Sequence, residues 1–166
     1  MFNINDYVVY KKDVCLVKDI KENKIDKSLH YVLVPINDDT LRIEVPSVNR
    51  LGLLRKLITK EELNNIIKSI PSIETIDEND RLIENEYKEL LKEGSFNSLI
   101  KIIKTTYIRN KNREENKKRQ SDKDTTYFRL AEKYLYTEFS IVLNKSFDDT
   151  MKYVESEVLK IINNEL

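Results

Sequence analysis

The hydrophobic positions change their period part-way along the chain. Up to about residue 46 they fall in short runs. Tyr7-Val8-Val9-Tyr10, Val14-Cys15-Leu16-Val17 and Tyr31-Val32-Leu33-Val34 are β-branched or aromatic, with Lys11-Lys12-Asp13 between the first two and Pro35 closing the third. Asn37-Asp38-Asp39 is a turn signal, because Asn and Asp side chains bond their own backbone two residues on. Leu41-Arg42-Ile43-Glu44-Val45 then alternates apolar and polar residues up to Pro46. That alternation marks a half-buried strand. Strands this short and closely spaced predict a small antiparallel sheet, curled to shield its edges.

Beyond Leu57 the spacing becomes helical. Thr59 with Glu62 forms a capping box, and Leu63, Ile66, Ile67 and Ile70 follow at i, i+3, i+4 and i+7 until Pro71. A second helix is expected from about Asp80 to Glu93, with Leu82, Ile83, Tyr87, Leu90 and Leu91 on one side and Gly94 as its C-terminal glycine. A third carries Phe96, Leu99, Ile100, Ile103 and Tyr107. Asn110 to Gln120 has almost no apolar residue and reads as a loop or an exposed helical extension. Ser121 with Asp124 caps a fourth helix bearing Phe128, Ala131, Leu135, Glu138 and Val142; Ser146 with Asp149 caps a fifth bearing Met151, Val154, Val158 and Ile161. The fold class is therefore α+β: a β domain over 1–55 and an all-helical domain over 56–166, joined between about Ser47 and Leu57.

Composition narrows the chemistry. The chain is 40% hydrophobic and 35% charged, and no apolar run approaches the roughly 20 residues that span a bilayer. The start, Met1 to Asp6, has neither a basic nor an apolar signal region. A soluble, cytoplasmic protein with no membrane partner is expected. Cys15 is the single cysteine and His30 the single histidine. Both fall in segments that read as strand or strand edge, so Cys15 reads as a core residue and His30 as a loop residue, not a catalytic pair. With two glycines, Gly52 and Gly94, neither a phosphate loop nor a dinucleotide fingerprint can be written. Asp38-Asp39 and Asp148-Asp149 sit in a turn and a helix's first turn, where acids suit the helix dipole. Glu138 shares the spacing of the buried stripe and reads as a structural carboxylate that one of the nine tyrosines or a base can satisfy. No metal, cofactor or enzymatic function is expected.

Net charge is zero, but its distribution is uneven. From Lys101 to Gln120 there are eight bases (Lys101, Lys104, Arg109, Lys111, Arg113, Lys117, Lys118, Arg119) and two acids (Glu114, Glu115). Such a stretch is either a footprint for an anionic partner or a solvated face.

The ordered set of residues resembles the CarD family of transcription regulators, whose β domain also occurs in transcription-repair coupling factors. In the first half the resemblance rests on Phe2, Asp6, Val8-Val9-Tyr10, Val14, Val17, Ile20, Tyr31-Val32-Leu33, Ile43, Val45-Pro46, Gly52 and Arg55. In the second it rests on Gly94 after a leucine-and-aromatic helix, Ile102-Ile103-Lys104, Tyr107-Ile108-Arg109, and the spacing of Ser121, Phe128, Ala131, Leu135 and Glu138. It covers nearly the whole chain. It implies a Tudor-like barrel that pairs strand edge to strand edge with the RNA polymerase β subunit, through Asn23, Lys24, Ile25, Arg42 and Glu44. It also implies a helical domain on promoter DNA beside the melting bubble, modulating the open complex. The chain would act as a monomer.

The sequence also departs from the family. The tryptophan that wedges into the minor groove has no counterpart: the chain has no Trp, and Asp80 stands at that position. Leu82 and Ile83 replace arginines, with Arg81 nearby. Glu44 replaces an arginine two residues before the Val-Pro proline, a charge reversal that changes partner preference. Lys11-Lys12-Asp13 replaces a glycine-rich turn. The expected DNA contacts are therefore to the backbone, through Arg81, Lys104, Arg109, Lys111, Arg113, Lys117, Lys118 and Lys123. A protein-binding adaptor without DNA contact is the alternative.

Overall fold

In the computed structural model, which describes residues 1–164, the chain separates into two compact units, Met1–Ile58 and Thr59–Leu166. The first is a five-stranded antiparallel sheet of β1 (Tyr7–Tyr10), β2 (Asp13–Glu22), β3 (Leu29–Pro35), β4 (Ile43–Pro46) and β5 (Leu54–Lys56), in the order β4-β3-β2-β1-β5. The sheet is open, since its outer strands β4 and β5 pair only inward. One face carries the core: Val8, Cys15, Val17, Tyr31, Leu33, Val45 and Leu54. The strands do not alternate simply with exposed residues: Val9, Val14, Val32 and Val34, which point to the other face, are buried as well. A register shift between Val17 and Asp19 lets β2 run on to Glu22. The Tyr31 phenol oxygen accepts from the Phe2 N–H at 3.0 Å, tying down the N-terminal segment.

β2 runs on to Glu22, past the expected Val14–Val17 run, and β3 begins at Leu29, two residues before the expected Tyr31. Two further differences have local reasons. β4 begins at Ile43, not Leu41. Asp38 accepts from the Thr40 N–H at 3.1 Å and the Thr40 hydroxyl at 2.6 Å, which prolongs the turn. Leu54–Lys56, expected to be part of the join, pairs with β1 in the register Tyr10↔Leu54, Val9↔Arg55, Val8↔Lys56. With three residues and a single buried side chain, β5 offers no periodicity to read.

The second unit consists of α1 (Lys60–Ser69), α2 (Ile83–Glu93), α3 (Phe96–Glu115), α4 (Asp122–Leu143) and α5 (Phe147–Asn164), with a single 3-10 turn at Ile70–Ser72. The Thr59–Glu62 capping box forms with both of its bonds. Ser95, Ser121 and Ser146 each accept from the backbone N–H three residues on. Gly94 ends α2 at φ 67°, the left-handed conformation glycine adopts freely. Leu63, Ile67, Ile83, Tyr87, Leu99, Ile102, Ala131, Leu135, Phe139 and Val154 form the buried surface. Glu138 is buried with them, as its spacing implies. α2 starts at Ile83 and not at Asp80. The Asn79 side chain accepts from the Arg81 and Leu82 N–H groups, a turn that occupies those donors before the helix begins.

Cys15 is fully buried, and burial pushes its thiol up to about 11. At about pH 8 only on the order of one thiol in a thousand would be ionised. Iodoacetamide is therefore expected to leave Cys15 unmodified in the native protein and to label it fully in guanidinium, read by intact mass. Comparable labelling rates in both states would mean that the β-sheet core opens readily.

Candidate functional site

The two outer strands of the sheet differ in what their free backbone meets. In an antiparallel ladder each residue directs its N–H and C=O to one side only, alternating along the strand. The Ser47 N–H bonds the Leu29 carbonyl at 2.8 Å, in the same register as Tyr31↔Val45 and Leu33↔Ile43. Val45 and Ile43 therefore bond β3, while Glu44 and Pro46 face outward. Pro46 fits there because its missing N–H belongs to no ladder bond. Among the described residues no group bonds the Glu44 backbone from outside.

On the opposite edge, the Lys11 N–H bonds the Leu53 carbonyl at 2.7 Å, so Leu54 and Lys56 of β5 face outward. Here the Leu54 N–H, the Leu54 carbonyl and the Lys56 carbonyl are taken. The Asn49 amide accepts from the Leu54 N–H at 3.2 Å and donates to the Leu54 carbonyl. The Arg55 guanidinium donates to the Lys56 carbonyl at 3.1 Å. Side chains thus occupy most of the outward backbone of β5, while that of β4 is left without such partners among the described residues.

Between β4 and β5 lies a hollow of about 690 Å³, lined by Asn23, His30 and Glu44 on the β4 side, by Leu54 of β5, and by Val48 and Leu51 of the segment that joins the two strands. Of the residues expected to bind polymerase, Asn23 and Glu44 meet in it. Asn23 also closes the β2–β3 turn, accepting from the Ile25 N–H at 2.9 Å. Lys24 and Ile25 are exposed at the turn, and Ile25 is 94% accessible. Arg42 donates to the Asp39 and Leu41 carbonyls of its own turn. His30 is a strand residue, not a loop residue, and stands 3.4 Å from the Glu44 carboxylate on β4. Leu51, 81% accessible, and Val48, 61%, give the open edge an apolar flank.

In the helical unit the expected DNA-contacting residues separate into two groups. One group is engaged inside the fold. Asp124, with no solvent access, receives the Tyr87 hydroxyl at 2.8 Å and Arg109 Nε at 3.0 Å. Arg109 reaches on to Asp80 at 2.6 Å. Lys123 donates to the Asp80 carbonyl at 2.6 Å, with its carboxylate at 3.6 Å. The Lys123 charge, with Arg109 behind it, holds the Asp80 carboxyl below its usual value. Burial works against the Arg109 charge, and Asp124 more than offsets it. Burial, then the Asp124 bond, pushes the Tyr87 phenol up. Lys104 donates to the Ile70, Pro71 and Ile73 carbonyls, closing the C-terminal end of α1 and its 3-10 turn, and burial lowers its pKa.

The other group is solvated. The basic stretch, expected as a loop or an exposed helical extension, is helical to Glu115 and folds back through Lys117 at φ 56°. Arg113 donates to the Arg119 carbonyl at 2.8 Å and holds the return. Lys111, Lys117 and Lys118 are exposed there, and Arg81 is exposed in the turn before α2. Periodicity alone does not single out Asp124 and Tyr87 as a polar centre. The one signal in the sequence is the spacing of Asp124, four residues before Phe128 and seven before Ala131, which places it on the buried stripe. Among the described residues no group of three or more His, Cys, Asp or Glu side chains is arranged to hold a metal, and no helix is long and apolar enough to cross a membrane.

No protein-family model matches the chain, and no curated protein matches its sequence.

Removing one partner of a buried ion pair leaves the other charge uncompensated. Arg109→Met is expected to destabilise the protein by about 3–5 kcal/mol in urea unfolding, and Tyr87→Phe by about 1–2 kcal/mol. Asp80→Asn, at an exposed carboxylate, should cost less than about 1 kcal/mol. An Arg109 variant as stable as the parent would show that Asp124 is satisfied some other way.

Proposed function

We propose that the chain is an accessory transcription factor. On this reading its first unit acts as a Tudor-like module that adds the β4 edge to a strand of the RNA polymerase β subunit. Its second unit touches promoter DNA through backbone phosphates and modulates the open complex. The observation that supports it most is the asymmetry of the sheet: Asn49 and Arg55 occupy most of the outward backbone of β5, and β4 presents unpaired backbone beside exposed apolar residues. An unpaired edge is a template for another chain's strand, with main-chain bonds giving affinity and neighbouring side chains giving selectivity. Outward-facing β4 offers only the Glu44 N–H, the Glu44 carbonyl and the Pro46 carbonyl. Val48, Leu51 and Ile25 supply the remaining contact area, and Glu44 selects a partner strand bearing a base.

The DNA contact rests on Lys111, Lys117 and Lys118 with Arg81, not on Lys104, Arg109 or Lys123, whose charges already have partners. Phosphate contacts carry no sequence information and release counterions, so they weaken as salt rises. A factor that holds the open complex better than the closed one shifts that equilibrium by its differential affinity.

Glu44→Pro removes the one outward N–H of β4 without breaking a ladder bond. In pull-down of the cognate polymerase β lobe by the full chain, this variant is expected to lose retention while keeping a cooperative melt. Retention equal to the parent's would remove strand addition as the mode of binding. Neutralising Lys111, Lys117 and Lys118 together should flatten the salt dependence of retention on duplex DNA, by about 0.9 in log–log slope for each phosphate that is no longer neutralised. A parent protein that ignores DNA at low salt would leave the adaptor without DNA contact as the reading.

A further inference from the structure

α3, α4 and α5 enclose a groove of about 380 Å³, walled chiefly by Ile103, Tyr107, Phe128, Leu135, Val158 and Leu159. A second hollow, of about 470 Å³, shares Tyr107 and Phe128 with it. Glu132, on α4, lines both. It stands four residues after Phe128 and four before Tyr136, on one aromatic face of the helix.

No side-chain hydrogen bond or ion pair engages the Glu132 carboxyl among the described residues. Burial alone raises it, to about 7, with no nearby cation acting against that rise. Lys104 lines the same groove, but its ammonium is held on three backbone carbonyls. Glu155, on α5, adds a second carboxyl at the groove. Burial and then the fields of Glu132 and Glu155 push the Tyr136 phenol up to about 12, so both carboxyls act on one side of the cavity. The groove is therefore apolar, aromatic and negative.

We propose that this groove binds a small organic cation, an ammonium carried on an aliphatic or aromatic body, with Glu132 as its counter-ion. The volume falls in the range of small-ligand sites. A neutral apolar ligand would displace water from Glu132 and give nothing back, which costs free energy. An anionic ligand would meet two carboxyls. An ammonium gains the ion pair and the faces of Tyr107, Phe128 and Tyr136 together. The titratable groups that line the groove are Lys104 and Tyr107 from α3, Glu132 and Tyr136 from α4, and Glu155 from α5; the second hollow, which Glu132 also lines, adds Lys111 and Glu114 from α3 and Arg129 from α4. Binding should strengthen as pH rises through about 7, because the ionised Glu132 is the form that attracts the cation.

The test is a titration of the full-length protein with hexylammonium and, separately, with 1-hexanol, followed by amide chemical shifts at about pH 8 and about pH 5.5. Hexylammonium is expected to bind saturably, with a Kd on the order of 0.1–1 mM, and to move resonances of α3, α4 and α5 at the groove. Hexanol should bind about tenfold more weakly, and Glu132→Gln should lose about tenfold for hexylammonium. Wild-type affinity should fall at about pH 5.5, a comparison that needs no variant. A raised carboxyl pKa means that stability falls as pH rises from the ordinary carboxyl value towards about 7, since the native state gives up its proton last. Glu132→Gln should therefore melt above the parent at about pH 8, and hexylammonium should raise the melting temperature of the parent only. Equal affinity for hexanol and hexylammonium, unchanged affinity in Glu132→Gln, or no saturable shift would each overturn the proposal.

Discussion

Asp124 has no access to water, and a carboxylate in that position stays charged only if bases and donors surround it. Arg109 from α3 and Tyr87 from α2 supply both of its contacts, so three helices meet on one residue of α4. The same guanidinium continues to Asp80, and Lys123 takes the Asp80 carbonyl. The irregular stretch before α2 is thereby fixed to the first turn of α4. The position of α2 follows from this centre more than from its own apolar stripe, of which only Ile83 and Tyr87 are buried.

This constraint also sorts the basic residues. A cation that satisfies a buried carboxylate cannot leave it for a phosphate without exposing that carboxylate to the same penalty. Arg109 is therefore committed, Lys104 is held by carbonyls at the C-terminal end of α1 and its 3-10 turn that must be satisfied anyway, and Lys123 is held by the Asp80 carbonyl and carboxylate. Charge counting along the chain treats these residues as equal to Lys111, Lys117 and Lys118. Burial separates them.

The division shows what a single sequence can and cannot display. The capping residues Thr59, Ser95, Ser121 and Ser146 carry the helix starts. Thr59, Ser121 and Ser146 are readable because their side chains act within three residues. Strand patterning is readable for β1 to β4, where it runs over four residues or more. β5 is not, because three residues with one buried side chain have no period, and its pairing with β1 spans the whole unit. Barrel closure is not readable either, since it depends on whether β4 and β5 find each other and not on any local signal. Asp124 is hidden by its double role: as a cap neighbour it looks like an ordinary first-turn acid. Glu132 lies between Phe128 and Tyr136 with no base at helical spacing that engages it, a mismatch visible only once its surroundings are known.

The open edge of β4 obeys a different logic from the helical centre. Its hydrogen-bonding groups belong to the backbone, so most substitutions at Glu44 change which strand is preferred without removing the ability to pair. Pro46 limits the ladder at one end, and the turn held by Asp38 limits it at the other. So short an edge forms few main-chain bonds, and each is worth only about 1 kcal/mol net. Selectivity must then come from side chains at its margins. Ile25, Val48 and Leu51 are apolar and exposed there, while Glu44 and His30 carry the polar contact across β3 and β4. On the proposed reading, an edge of this kind resists indiscriminate pairing by its brevity and would admit a partner only where apolar contact and a complementary base coincide. Asn49 and Arg55 occupy most of the outward backbone of β5, so β4 keeps more unpaired outward groups than β5 does.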